Sequence, residues 1–189
     1  RVRRVGDFAL QLQAHVGVAL CPDDAAGAEE AIGSAAQAAH AAQADGRGIA
    51  RFERSMSARI GERLRLAGRI RQAIERQEFE LYFQPVVRAD TGAPRLLEAL
   101  IRWPQADGSH IAPDQFIQLC EDTGLILPLG RWVMRAAAQA RRQLAAQGWP
   151  ALPVAVNVSA LQFFDGDLVA DLAQACSDAG LAADGLHLE

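Results

Sequence analysis

From residue 79 to residue 189, short apolar runs alternate with longer amphipathic stretches, and this alternation restricts the fold more than any other feature. FELYFQPVV (79–87), RLLEALIRW (95–103), LPVAVNVS (152–159) and GLHLE (185–189) read as strands, whereas residues 113–122, 126–147 and about 161–179 read as helices. Strands of this length separated by helices argue for an α/β architecture with a parallel sheet or barrel. Pro113, Gly124, Gly148 and Gly180 stand where those helices are expected to start or stop. Ahead of this region, HVGVALCP (15–22) predicts a strand. Residues 23–48 predict an Ala-rich helix entered through Asp23 or Asp24 and left through Gly46. Nine arginines between Arg47 and Arg76, interleaved with Ile60, Leu64, Ile70 and Ile74, suit an amphipathic connecting helix with a solvated basic face.

The chain of 189 residues, 50% hydrophobic and 22% charged, has the size and composition of one folded domain or two small ones. All 19 basic residues are arginine and the net charge is -4, so the positive excess that a polynucleotide partner requires is lacking. Cys21, Cys120 and Cys176 are widely spaced without a CxxC and read as reduced core thiols; the four histidines show no metal-type spacing. No window of 18 apolar residues occurs, so nothing here is expected to span a membrane; the reduced thiols make the cytoplasm the expected setting, with any membrane anchor lying in segments outside this chain. RVRRVGDFALQL begins in mid-pattern and LHLE stops without a turn or cap, which reads as a fragment of a longer protein.

LLEALIRW (96–103) places a carboxylate and a guanidinium inside an apolar run. A buried charge without a partner costs several kcal/mol, roughly, so Glu98 and Arg102 must each be compensated. Both lie on one strand face with Leu100, but four residues at ~3.3 Å each put them about 13 Å apart, too far for a simple ion pair. A cation at Glu98 and an anion such as phosphate at Arg102 satisfy both. Asn157 near the end of VAVNVS and Glu189 at the end of LHLE are further polar interruptions, and in a parallel barrel such strand ends converge on the face where active sites sit. Two carboxylates and an amide oxygen suit a hard divalent cation, Mg²⁺ or Mn²⁺, better than zinc. Each residue also admits a structural role: Glu98 paired with Arg102 or a helix, Asn157 as a helix cap, Glu189 on the surface.

In order and spacing, FELYFQPVV, LLEALIRW, HIAPDQFIQLCEDTGLILPLGRWVM, VAVNVSALQF and LHLE resemble the first half of the EAL family of cyclic di-GMP phosphodiesterases. HVGVALCPDD through AAHAAQADGRG resembles the C-terminal part of a GGDEF domain, the diguanylate cyclase module. The resemblance implies an α/β chain in which a GGDEF remnant (1–54) and a linker helix (55–76) precede the N-terminal half of an EAL domain (77–189), a partial modified (β/α)8, TIM-like barrel. It further implies hydrolysis of cyclic di-GMP to linear pGpG with two divalent cations. Glu98, Asn157 and Glu189 would be metal ligands, Glu98 catalytic among them, while Arg102 would bind a substrate phosphate and Gln84 and Leu100 would contact the nucleotide. The family's aspartate pair, later lysine and further glutamate and glutamine would lie beyond Glu189, so the two-metal site would be completed there and this chain alone is not expected to turn over substrate. In the GGDEF part the signature is reduced to VGDF and Gln43 stands where that family uses a phosphate-contacting lysine, although Arg47 is kept. That departure implies a non-catalytic regulatory module, for which GTP or another regulatory ligand and a homodimer are the partners to expect. The rival reading is an inactive cyclic di-GMP receptor.

Overall fold

The computed structural model describes residues 2–5, 8–11, 13–149, 152–182 and 185–189. Their contacts divide the chain into two compact units, Arg1–Leu64 and Arg65–Glu189. The central residues of VGDF, 6 and 7, lie outside the described set.

In the first unit β1 (Val2–Val5) and β2 (Phe8–Gln11) form an antiparallel pair, and β3 (Val16–Val18) runs parallel to β4 (Ile49–Arg51) with α1 (Ala28–Ala44) between them in sequence. α1 is shorter than the expected 23–48 helix. Asp24 is not its cap: its carboxylate accepts from the Leu20 amide at 2.9 Å, and Gly27 becomes the N-cap. The turn thus formed uses up the residues that helix propensity would have recruited. α1 lies so close to β3 that a Cβ on Gly17 would come within 1.8 Å of the Ala35 carbonyl oxygen.

α2 (Arg54–Arg76) contains the division between the units. Of its expected apolar stripe Ile70 is fully buried, with Ile74 packed beside it, whereas Leu64 is 70% exposed. The second unit continues with β5 (Glu80–Val87), β6 (Pro94–Pro104) and β7 (His110–Ile111), then α3 (Pro113–Thr123) and α4 (Ile126–Ala146). β8 (Val154–Val156), α5 (Ala160–Asp165), α6 (Leu168–Ala179) and β9 (Leu186–Leu188) complete it. The strand order is β5-β6-β8-β9, with β7 off β6.

The sheet is mixed, which corrects the expectation of parallel strands throughout. β6 pairs parallel with β8, and β8 with β9, but β5 and β7 run antiparallel to β6. Only six residues, 88–93, join β5 to β6, and a connection that short returns the chain antiparallel, whereas a parallel partner needs a crossover of a dozen or more. Glu98 lies near the middle of β6.

Two further expectations are corrected. The strand foreseen over 152–159 holds only Val154–Val156, and the helix foreseen near 161–179 is two helices. Gly166 ends α5 in extended backbone and Asp167 starts α6 by accepting from the Ala170 amide at 3.2 Å. A new cap one residue after a stop re-aims the chain.

Alternation along the strands sends Ala99, Val154, Val156 and Leu186 into a core with Met134, Ala137 and Ala138 of α4 and Ala175, Cys176 and Ala179 of α6. A second core gathers Phe79, Trp103 and Phe116, their ring centroids 5.2–5.7 Å apart, around Ile70 and Leu129. Cys120 and Cys176 belong to these cores, but Cys21 is exposed and is not the core thiol expected. Among the described residues no helix is long and apolar enough to cross a membrane.

Candidate functional site

The face of the sheet opposite α4 and α6 carries the polar interruptions of the strands. Across it Gln84 on β5 lies in register with Glu98 on β6, and Glu98 with Ala155 on β8. Tyr82 pairs with Leu100 and Glu80 with Arg102. Asn157 follows the last residue of β8, two positions beyond the partner of Glu98, on the same face.

The site's central contact joins two expected residues: Asn157 Nδ2 donates to Glu98 Oε1 at 2.9 Å. The amide's donor is thereby used on a neighbouring carboxylate and its carbonyl oxygen is left for another partner. Glu98 is half-buried and Asn157 exposed, so the pair is open to solvent on one side.

Glu189 is tied to the same place by its backbone. Its amide donates to the Val156 carbonyl at 3.0 Å and its carbonyl accepts from the Val158 amide at 2.8 Å, continuing the β8–β9 ladder by one residue. That register sets Glu189 beside Asn157, with its side chain exposed. Gln84 is exposed opposite Glu98.

Arg102 and Glu98 do not form an ion pair. Arg102 donates from Nη1 to the Ile101 carbonyl at 2.8 Å and its guanidinium lies 5.5 Å from the centroid of Tyr82. Neither contact neutralises the charge, so the guanidinium keeps donors for an anion.

A cavity of about 360 Å³ opens here, lined by Leu100, Arg102 and Asn157 together with Glu121, Ser159 and Gln162. Sequence reasoning did not single out the last three. Ser159 N-caps α5 in a capping box with Gln162, a pattern legible as serine followed three residues later by glutamine. Ser159 Oγ also donates to Glu121 Oε1 of α3 at 2.6 Å, and that partnership has no local signature because 38 residues separate the two. Gln162 is 6% exposed and presses on α4, where a Cβ on Gly130 would come within 1.9 Å of its Nε2. Next to Glu121, burial and then the neighbouring carboxylate push the Cys120 thiol up to about 12.

The EAL domain family model matches residues 67–189. The chain belongs to the EAL domain family. It is 38% identical over 181 residues, 95% of its own length, to the cyclic di-GMP phosphodiesterase NbdA of Pseudomonas aeruginosa, of which it covers 23%. It is equally identical, over the same share of its length, to the bifunctional diguanylate cyclase/cyclic di-GMP phosphodiesterase MucR of that organism, of which it covers 26%. The EAL chain thus spans about a quarter of these relatives. The solved PaMucR phosphodiesterase in complex with c-di-GMP superposes with a TM-score of 0.61 at 38% identity, over 66% of this chain and 50% of that one.

Whether a divalent cation suits this EAL set of Glu98, Asn157 and Glu189 is decided by the donors. Among the described residues no three His, Cys, Asp or Glu side chains gather as a metal cage. The group is two carboxylates and an amide, all oxygen. Mg²⁺ is commonly held by one or two carboxylates, with water and substrate phosphate filling the other positions, so the set fits such an ion.

Proposed function

We propose that this chain carries part of the active site of a metal-dependent cyclic di-GMP phosphodiesterase, completed in the full-length protein by residues that follow Glu189. The observation that carries the reading is the Asn157–Glu98 contact. In an EAL-family chain, it brings two oxygen-bearing side chains together and leaves the Asn157 carbonyl oxygen available, which supports their reading as ligands. Similarity to relatives named as cyclic di-GMP phosphodiesterases supplies the substrate.

In this reading Glu98, Asn157 and Glu189 hold Mg²⁺ or Mn²⁺ in a two-metal site. The bound cations would polarise the phosphodiester and activate water for in-line attack. Arg102, whose charge is unneutralised, binds a substrate phosphate, while Gln84 and Leu100 contact the nucleotide from the same face. The mixed sheet with helices on one face is read as the first half of the modified (β/α)8 barrel.

Residues 1–54 are assigned to a degenerate GGDEF module, 55–76 to a linker helix and 77–189 to the first half of the EAL domain. Support for the first assignment is the parallel β3–α1–β4 unit and a match to MucR over 95% of the chain. With its signature reduced to VGDF and Gln43 in place of lysine, the module is read as regulatory, with GTP or another ligand and a homodimer as its partners and the cytoplasm as its setting.

The test is direct. Purified full-length protein with Mg²⁺ is expected to convert cyclic di-GMP to pGpG, and Glu98→Ala to abolish that conversion. Equal turnover by the variant sinks the assignment; ligand binding without hydrolysis by the wild-type protein replaces it with a receptor.

A further inference from the structure

The turn that presents Asn157 is held on its two flanks by different means. On the β9 side, two backbone hydrogen bonds from and to Glu189 fix residues 156 and 158. Toward α3, the bond from Ser159 Oγ to Glu121 Oε1 reaches across at 2.6 Å, the short length of a hydroxyl on a carboxylate. Ser159 already accepts from the Leu161 amide at 3.3 Å as the cap of α5, so Glu121 takes the one proton this hydroxyl has to give and fixes its rotor. Gln162, whose Oε1 accepts from the Ser159 amide at 3.2 Å, is clamped against Gly130 of α4. Asn157, two residues upstream and exposed, has its side chain hydrogen-bonded to Glu98.

We infer that Glu121 is a positioning residue of the site: through Ser159 it holds the β8–α5 turn so that the Asn157 carbonyl oxygen faces the cation position beside Glu98. The inference rests on the reading of Asn157 as a cation ligand. Glu121 acts as a hydrogen-bond acceptor here, so a neutral acceptor of the same shape serves in its place. Groups hydrogen-bonded directly to a metal ligand typically change cation affinity by roughly 10–100-fold when removed, and Glu121, which acts one step further back through Ser159, is expected at the low end of that range.

The test uses the full-length protein with Glu121→Ala, Glu121→Gln, Ser159→Ala, Asn157→Ala and the double variant Glu121→Ala/Asn157→Ala. Mn²⁺ affinity is read from the signal of free Mn²⁺, alongside kcat, KM, melting temperature and cyclic di-GMP affinity in metal-free buffer. Glu121→Ala and Ser159→Ala are expected to weaken Mn²⁺ binding about tenfold and to lower kcat with KM little changed, while metal-free ligand affinity stays within about twofold. Glu121→Gln should restore most of the loss, and Glu121→Ala should add less than about a twofold loss to Asn157→Ala because both act on one group. Wild-type Mn²⁺ affinity in Glu121→Ala, a loss in Glu121→Gln as large as in Glu121→Ala, or full additivity in the double variant overturns the inference. If Asn157→Ala weakens Mn²⁺ binding while Glu121→Ala does not, the inference alone fails; if Asn157→Ala binds Mn²⁺ like the wild type, the ligand reading beneath it fails. Should Glu121→Ala not fold, Ser159→Ala decides by the same criteria.

Discussion

At the scale of single residues the two charges of LLEALIRW are separable. Glu98 is engaged by Asn157, and Arg102 by a carbonyl and an aromatic face, so removing one does not strand the other. Arg102→Ala forfeits a charge-assisted contact worth roughly 1.5–3 kcal/mol, and binding of cyclic di-GMP without metal is expected to weaken by about one to two orders of magnitude. Glu98→Gln keeps the shape and should spare most of that binding while collapsing turnover. Matched losses of melting temperature with neither selective effect would show a structural pair instead. The cysteines give a second residue-scale expectation. At pH 8 a thiol probe should modify Cys21 quickly and the buried Cys120 and Cys176 only on unfolding. The Cys120 thiol, pushed up to about 12, favours the fold in its protonated form. Its contribution is complete below the ordinary thiol value of about 8.5 and is lost as pH rises toward 12. Urea midpoints should therefore fall above pH 9 in the wild type and fall less in Cys120→Ala.

At the scale of elements, close approach governs. Gly17→Ala would drive a methyl to within 1.8 Å of a backbone oxygen of α1, and neither partner can rotate away. The strand and helix must separate, at a cost of about 1–3 kcal/mol, seen as a lowered melting temperature of the first unit. Gly130→Ala meets a side chain instead, the amide of Gln162 at 1.9 Å. Because that side chain completes the cap of α5, a comparable loss is expected, and Gln162→Ala should relieve part of it; additive losses would show that the two do not share a contact. The elements themselves were largely written locally: apolar alternation placed β5 and β6, and Pro113 and Gly124 bracket α3 as expected. The break at Gly166 was less legible, since the apolar periodicity continues across it from α5 into α6 and only the caps at Ser159 and Asp167 interrupt the backbone.

At the scale of the molecule, the chain is two units divided within a helix. Removing residues 1–54 from the full-length protein is expected to leave hydrolysis of cyclic di-GMP in place and to abolish any response of its rate to GTP; an unchanged response would remove the regulatory assignment. The sequence by itself determined the α/β class and the oxygen character of the candidate ligands Glu98, Asn157 and Glu189, because strand alternation and residue chemistry are properties of a few neighbouring positions. It also pointed to the face they share through the period of two along each strand. Packing alone settles that Asn157 rather than Arg102 meets Glu98, and that Glu121 reaches Ser159. Those are pairings between residues 59 and 38 positions apart, fixed by register and by how helices pack on the sheet, and no local pattern of side chains encodes a distance of that kind.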